Sequence, residues 1–308
     1  MIIMKPNPAA LRLLASLLWL LANFVALPLN ADTSARTTSS SAEKYQRGLL
    51  WRIEREGIAP SYLFGTLHSD DPRVLNLAPP VRQAFDRAKS FTMEVVPDAN
   101  ALVVMAQRMF YQDGRTLPGV AGEELYRRAR TALTDEGLPD IGLERQKPWV
   151  VVMLLSMPRP RGGVFLDMAL QAQATEQKKP IHGLETMEEQ LAVFDGLAVA
   201  DQVALLKDTL DNHKAIRGQI EALTERYLAR DLAGISKLAD TFRPADSRVY
   251  DTVMRRLLSD RNVKMADRMR TRLAEGNAFI AVGAGHLAGP QGLLPLLERA
   301  GYRVHAVY

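Results

Sequence analysis

The 308-residue sequence predicts an α/β fold. The expected core is a mixed sheet built from two repeated strand–Gly-x-x-His–helix–strand units, with a large helical insertion and surrounding helices. Three observations predict it. The apolar runs "YLFGTLH" (62–68) and "FIAVGAGH" (279–286) end in the same spacing, Gly65–His68 and Gly283–His286. Each is followed by a proline-containing loop, an amphipathic helix and a further strand. The long middle of the chain instead repeats its apolar residues every three to four positions, the period of a helix with one buried face.

In chain order, "GLLWRIEREG" reads as a strand entering a turn at "GIAP", and "SYLFGTLH" as a second, buried strand. Pro79 and Pro80 open a helix with Val81, Phe85 and Ala88 on one side, and "SFTMEVV" (90–96) returns as a strand. Helices are expected over 99–112, 121–135, 146–157 and 164–178. "KPIHGLE" (179–185) is a short strand. Thr186 and Glu189 have the spacing of a capping box at the start of the next helix. Helices continue over about 201–229 and 246–275, the last closed by Gly276. "NAFIAVGAGH", "GPQGLLPLLERA" and "GYRVHAVY" complete the second unit as strand, helix and strand. Superposing the units sets "SFTMEV" against "GYRVHA", with Glu94 opposite His305.

The first residues read as an export leader, with an uncleaved anchor as the alternative. Lys5 and Arg12 precede the apolar stretch 13–27, which is short for a membrane span, and Ala31 is a small residue at the expected cleavage point. Residues 1–31 are therefore expected to be a signal peptide, and polar residues 32–48 a flexible linker. A mature protein without stable membrane insertion, periplasmic or secreted, is expected. The chain has no cysteine, which excludes disulfides and lipid attachment at a lipobox cysteine. Its net charge of +4 includes both leader residues, and no basic cluster with interleaved aromatics points to nucleic acid.

Open α/β sheets place ligands beyond the carboxyl ends of their strands, where His68 and His286 fall. Two imidazoles with a carboxylate make a divalent-metal site, whereas a lone histidine more often serves to cap a loop. Glu94 interrupts an apolar strand, and a buried carboxylate needs a cation, several donors or a proton. Arg261 lies among Leu257, Leu258 and Met265 on a helix, so its guanidinium calls for a carboxylate or a developing anion, unless it snorkels to water. Asn262 can donate and accept beside it. Glu185 lines the same cleft or serves as a helix-start charge, and His305 stays a candidate through its pairing with Glu94. Asp167, in "FLDMALQAQA", reads as a helix-start charge, and His182 and His213 read as structural or solvated. The chain contains no Gly-x-Ser-x-Gly, His-Glu-x-x-His or phosphate-loop motif, which argues against serine hydrolases, zincins and nucleotide-dependent enzymes.

Four segments, "YLFGTLHSDDPRVLNLAPPVRQAFDRAKSFTMEV", "GLETMEEQLAVFDGL", "LLSDRNVKMADRM" and "NAFIAVGAGHLAGPQGLLPLLERAGYRVHAV", together resemble the TraB/PrgY/GumN family, which includes the Tiki metalloproteases. The resemblance covers most of residues 49–308 and implies a single domain there. Its paired motifs fall on Gly65–His68 and Gly283–His286, its acidic strand residue on Glu94, and its Arg-Asn pair on Arg261 and Asn262. It implies peptide-bond hydrolysis dependent on Mn²⁺ or Co²⁺, with Zn²⁺ as the alternative ion.

The expected function is a metal-dependent hydrolase of the bacterial envelope acting on a peptide or protein. His68 and His286 are expected to bind the metal, with Glu94 as ligand or general base. Arg261 and Asn262 are expected to stabilise the oxyanion, and Gly65, Gly283, Glu185 and His305 to line the cleft. The alternative is a non-catalytic envelope protein that sequesters a peptide or haem.

Overall fold

The computed structural model describes residues 44–308 except 139, 141, 159, 160 and 241–246. The expected signal peptide, and the expected linker up to residue 43, lie outside the described residues. The chain divides into a sheet unit of residues 44–94, 158–185 and 214–308, and a helical unit of residues 95–157 and 186–213.

The sheet unit begins with Tyr45, buried edge-on against Trp51. Strands β1 (Leu50–Arg55) and β2 (Ile58–Thr66) form a hairpin. They are followed by helix α1 (Pro79–Arg87), strand β3 (Ser90–Met93), helix α2 (Leu166–Glu176) and strand β4 (Ile181–Gly183). The unit ends with helices α3 (His213–Leu228, in this unit from Lys214) and α4 (Asp260–Glu275), strand β5 (Ala278–Gly283), helix α5 (Leu293–Arg299) and strand β6 (Arg303–Ala306). The six strands form one mixed sheet in the order β4-β3-β5-β2-β1-β6. Neighbours among β4, β3, β5 and β2 run parallel, while β1 is antiparallel to both β2 and β6.

This order explains the composition of each strand. Central β5 is buried at all six positions, as expected of a parallel strand covered on both faces. Edge strand β6 buries only Val304 of its four residues. Phe64, Phe85, Phe91 and Phe279 pack as one aromatic cluster joining β2, α1, β3 and β5. Pro lies in the first turn of α1, where its missing N–H costs nothing, and Val81, Ala84 and Phe85 face inward. Helix α4 packs against β2, β5 and α5, burying Met265, Met269 and Leu273. It ends at Gly276, whose φ of 70° and contact with Ala59 O, 2.7 Å from where a Cβ would sit, both exclude a side chain.

Several expected elements differ in detail, and β2 begins at Ile58, inside the turn expected at "GIAP". The strand expected over 90–96 stops at Met93, because Glu94 O accepts from both Leu184 N and Glu185 N and the ladder loses its spacing. The helix expected over 246–275 contains a π-turn at Arg255–Ser259, between the helix Arg248–Met254 and α4.

In the helical unit, Ala99–Met109, Glu123–Asp135, Pro148–Leu155, Met187–Asp195 and Val199–Asp211 are helices. All eight residues of Pro148–Leu155 are buried, and Trp149 stacks on Phe194. The Thr186–Glu189 capping box is present in both directions. Among the described residues, no helix is long and apolar enough to cross a membrane.

Candidate metal centre

The carboxyl ends of the four parallel strands lie side by side, and each delivers one polar residue. Register pairs Gly65 with Val282 and Thr66 with Gly283, so β2 and β5 end level and place His68 and His286 just beyond. Pairing of Thr92 with Ile280 and of Met93 with Gly183 sets Glu94 beside the end of β5 and Glu185 beside Glu94. Side chains distant in sequence are thus assembled by strand order alone.

Each histidine is anchored through Nδ1. His68 Nδ1 lies 2.6 Å from Asp167 Oδ2, and the Thr66 hydroxyl donates to Asp167 Oδ1 at 2.6 Å. His286 Nδ1 lies 2.6 Å from Asn262 Oδ1, and Asn262 Nδ2 donates to Gln291 O at 2.8 Å. A carboxylate and an amide oxygen both accept, so each Nδ1 carries hydrogen, and a neutral ring in that tautomer bears on Nε2 the lone pair a metal requires.

Glu94, Glu185 and Arg261 form the rest of the centre. Arg261 Nη2 donates to Glu94 Oε2 and to Glu185 Oε2, each at 2.6 Å, and its Nε donates to both Glu185 oxygens at 3.0 Å. The other Glu94 oxygen, Oε1, accepts from Gly283 N at 2.7 Å and lies 3.8 Å from His286 Nε2. Burial pushes the Glu94 carboxyl above the usual carboxylate range, opposed chiefly by Arg261. Burial disfavours the Arg261 charge, but the two carboxylates outweigh it and hold its proton more tightly than usual. Burial, with Arg261 and His68 acting in the same direction, holds His286 well below the usual histidine range, so its ring is neutral.

Gly65 lets the two histidine motifs touch. A Cβ there would come within 2.6 Å of Leu287 Cδ1 and 3.2 Å of Ala284 Cα, in the turn that carries His286. The Tyr227 hydroxyl donates to Gly65 O at 3.0 Å, and burial keeps that phenol protonated. Gly283 contributes its N–H to Glu94.

The structure therefore brings together His68, His286, Glu94, Glu185, Arg261 and Asn262. All six are buried, and His286 is 0% exposed. His305 is not part of the group. It lies on edge strand β6, three strands from β5, with its side chain 58% exposed beside Glu54. The Arg261 guanidinium is engaged by two carboxylates, the first of the two partners its place in an apolar stripe called for, and Asn262 is engaged by His286. Asp167, read from sequence as a helix-start charge, is the residue missed. Its signal was its place in the buried stripe Asp167, Leu170 and Ala174 of α2.

Among the described residues, no three His, Asp or Glu side chains stand at metal-ligand spacing. The donor set nonetheless suits a divalent ion. His286 Nε2 is buried without a hydrogen bond, its ring is fixed by Asn262, and Glu94 stands beside it.

Fold and site define an α/β protein with a histidine–carboxylate centre at the ends of parallel strands. The model of the TraB/PrgY/gumN family matches residues 49–306, and the chain belongs to that family. It is 29% identical to "Metalloprotease TIKI1" of Danio rerio, over 83% of this chain and 62% of that protein. It is 28% identical to "Metalloprotease TIKI1" of Homo sapiens, over 83% and 61%. An uncharacterized protein of Treponema pallidum (strain Nichols) is 21% identical over 86% and 84%. The chain thus spans less than two thirds of the length of these two metalloproteases. No solved structure matches it.

Proposed function

We propose that this chain is a metal-dependent hydrolase of the bacterial envelope that cleaves a peptide or protein. The observation that carries the reading is the set of four parallel strand ends that gathers two Nδ1-anchored histidines with Glu94 and Glu185. Relatives named metalloproteases support peptide-bond hydrolysis as the reaction. Nε2 of His68, Nε2 of His286 and the Glu94 carboxylate would hold Mn²⁺ or Co²⁺, with Zn²⁺ as the alternative. A bound ion would supply Lewis-acid polarisation of the scissile carbonyl.

The chain's own residues set the conditions for that chemistry. Asp167 and Asn262 fix both imidazoles in one tautomer. Arg261 offsets the burial of Glu94 and Glu185 and fixes the direction of both carboxylates. Glu94 is ligand or general base; its Oε1 faces His286, and its raised proton affinity suits exchange of a proton there. Residues 1–31 direct export and leave a mature periplasmic or secreted chain from Asp32, with no stable membrane insertion.

Metal analysis of the purified protein, together with comparison of cleaved periplasmic peptides between wild type and a His68→Ala strain, tests the reading. A stoichiometric divalent ion and peptides lost in the variant are expected. A metal-free protein that takes up haem and cleaves nothing would overturn it in favour of the binding-protein alternative. N-terminal sequencing that finds residues 1–31 intact in a membrane pellet would refute the export step.

A further inference from the structure

The two histidines are anchored by different groups, and each anchor is matched to its other neighbour. Behind Asn262 stands an acceptor, Gln291 O, so the amide presents N–H to it and oxygen to His286. Behind Asp167 stands a donor, the Thr66 hydroxyl, so only a group that accepts on both sides serves both Thr66 and a protonated His68 Nδ1. An amide at position 167 would keep its oxygen on Thr66 and turn its NH₂ towards the ring. Rotating it the other way would deprive the buried Thr66 hydroxyl of the acceptor it uses here.

We infer that Asp167 is the positioning residue of His68, fixing the tautomer that leaves Nε2 able to bind metal, and that Thr66 sets its orientation. The inference rests on the proposed metal centre and assigns a role there to a residue outside the two histidine motifs. The experiment uses the whole protein, in its metal-free form and with added Co²⁺. Nitrogen-15 NMR of the imidazoles, with His68 assigned from a His68→Asn variant, reads the tautomer without any metal. Competition with a chromophoric chelator reads Co²⁺ affinity.

In the wild type, His68 is expected to carry its hydrogen on Nδ1. Asp167→Asn is expected to move that hydrogen to Nε2 and weaken Co²⁺ binding by about 10- to 100-fold. Thr66→Val removes a hydrogen bond from the same buried cluster but should keep the wild-type tautomer, which separates positioning from a general loss of structure. Wild-type His68 with its hydrogen on Nε2, or Asp167→Asn with unchanged tautomer and affinity, overturns the inference. The wild-type spectrum decides the first point even if Asp167→Asn does not fold. A wild type that binds no Co²⁺ removes the metal reading instead, and the tautomer measurement then supports or overturns the positioning of His68 by itself.

Discussion

The ends of β2 and β5 share the spacing Gly-x-x-His and lie in register, yet they are built differently. At the β2 end, a carboxylate from the first turn of α2 receives two donors, Thr66 and His68. At the β5 end, an amide from the first turn of α4 bridges a ring and a backbone carbonyl, while the neighbouring Arg261 holds two carboxylates. A repeat of sequence therefore does not imply a repeat of environment. The neighbour behind each anchor decides which anchor works.

The largest break in this comparison is expected from the histidines themselves. His68→Ala and His286→Ala should each abolish bound metal, and the double variant should retain no less than either, because the ligands act as one unit. Metal content and melting temperature measured together check this. Unequal losses would show that the two ends bind independently. His286→Ala should also destabilise the fold, since it empties a fully buried position.

Arg261→Ala disturbs the group beside the β5 end, where Arg261 serves Glu94 beyond β3 and Glu185 beyond β4. It leaves Glu94 and Glu185 buried beside each other, and a loss of roughly 3–5 kcal/mol is expected in denaturant unfolding. A loss below about 0.5 kcal/mol would place the charge network outside the stability of the fold. Gly65→Ala acts where the two motifs touch. The added methyl meets Leu287 and Ala284, and overpacking should cost about 1–3 kcal/mol and shift both histidines in a nitrogen-15 spectrum. Tyr227→Phe is the smallest change and belongs to the β2 end. Losing the hydroxyl on Gly65 O should cost about 0.5–1.5 kcal/mol while leaving His286 unmoved in the same spectrum.

Much of this site was legible because single residues broke an apolar pattern. Glu94 interrupts a buried strand and Arg261 an apolar helical stripe, and the structure pairs these two charges with each other. The parallel strands 62–66 and 278–283 were legible from length and hydrophobicity. Asp167 was not, because an acidic residue in the first turn of a helix satisfies the dipole equally well on a surface. His305 was misplaced because aligning two units by pattern says nothing about strand order, and β6 docks on β1 at the far edge. The burial of Glu94 and Arg261 was legible from their apolar surroundings, but that of His68 and His286 was not, since a histidine after a strand end carries no information about what covers it.

The π-turn at Arg255–Ser259 controls the angular phase of everything after it. One residue fewer there would turn α4 by about 100° about its axis, since an α-helix has about 3.6 residues per turn. Arg261 and Asn262 are consecutive, and they serve neighbouring strand ends because they diverge by that same angle. A deletion far from any histidine would therefore swing the cation off Glu94 and the amide off His286 in a single step. The helix behaves as a cam, whose setting is stored in one widened turn.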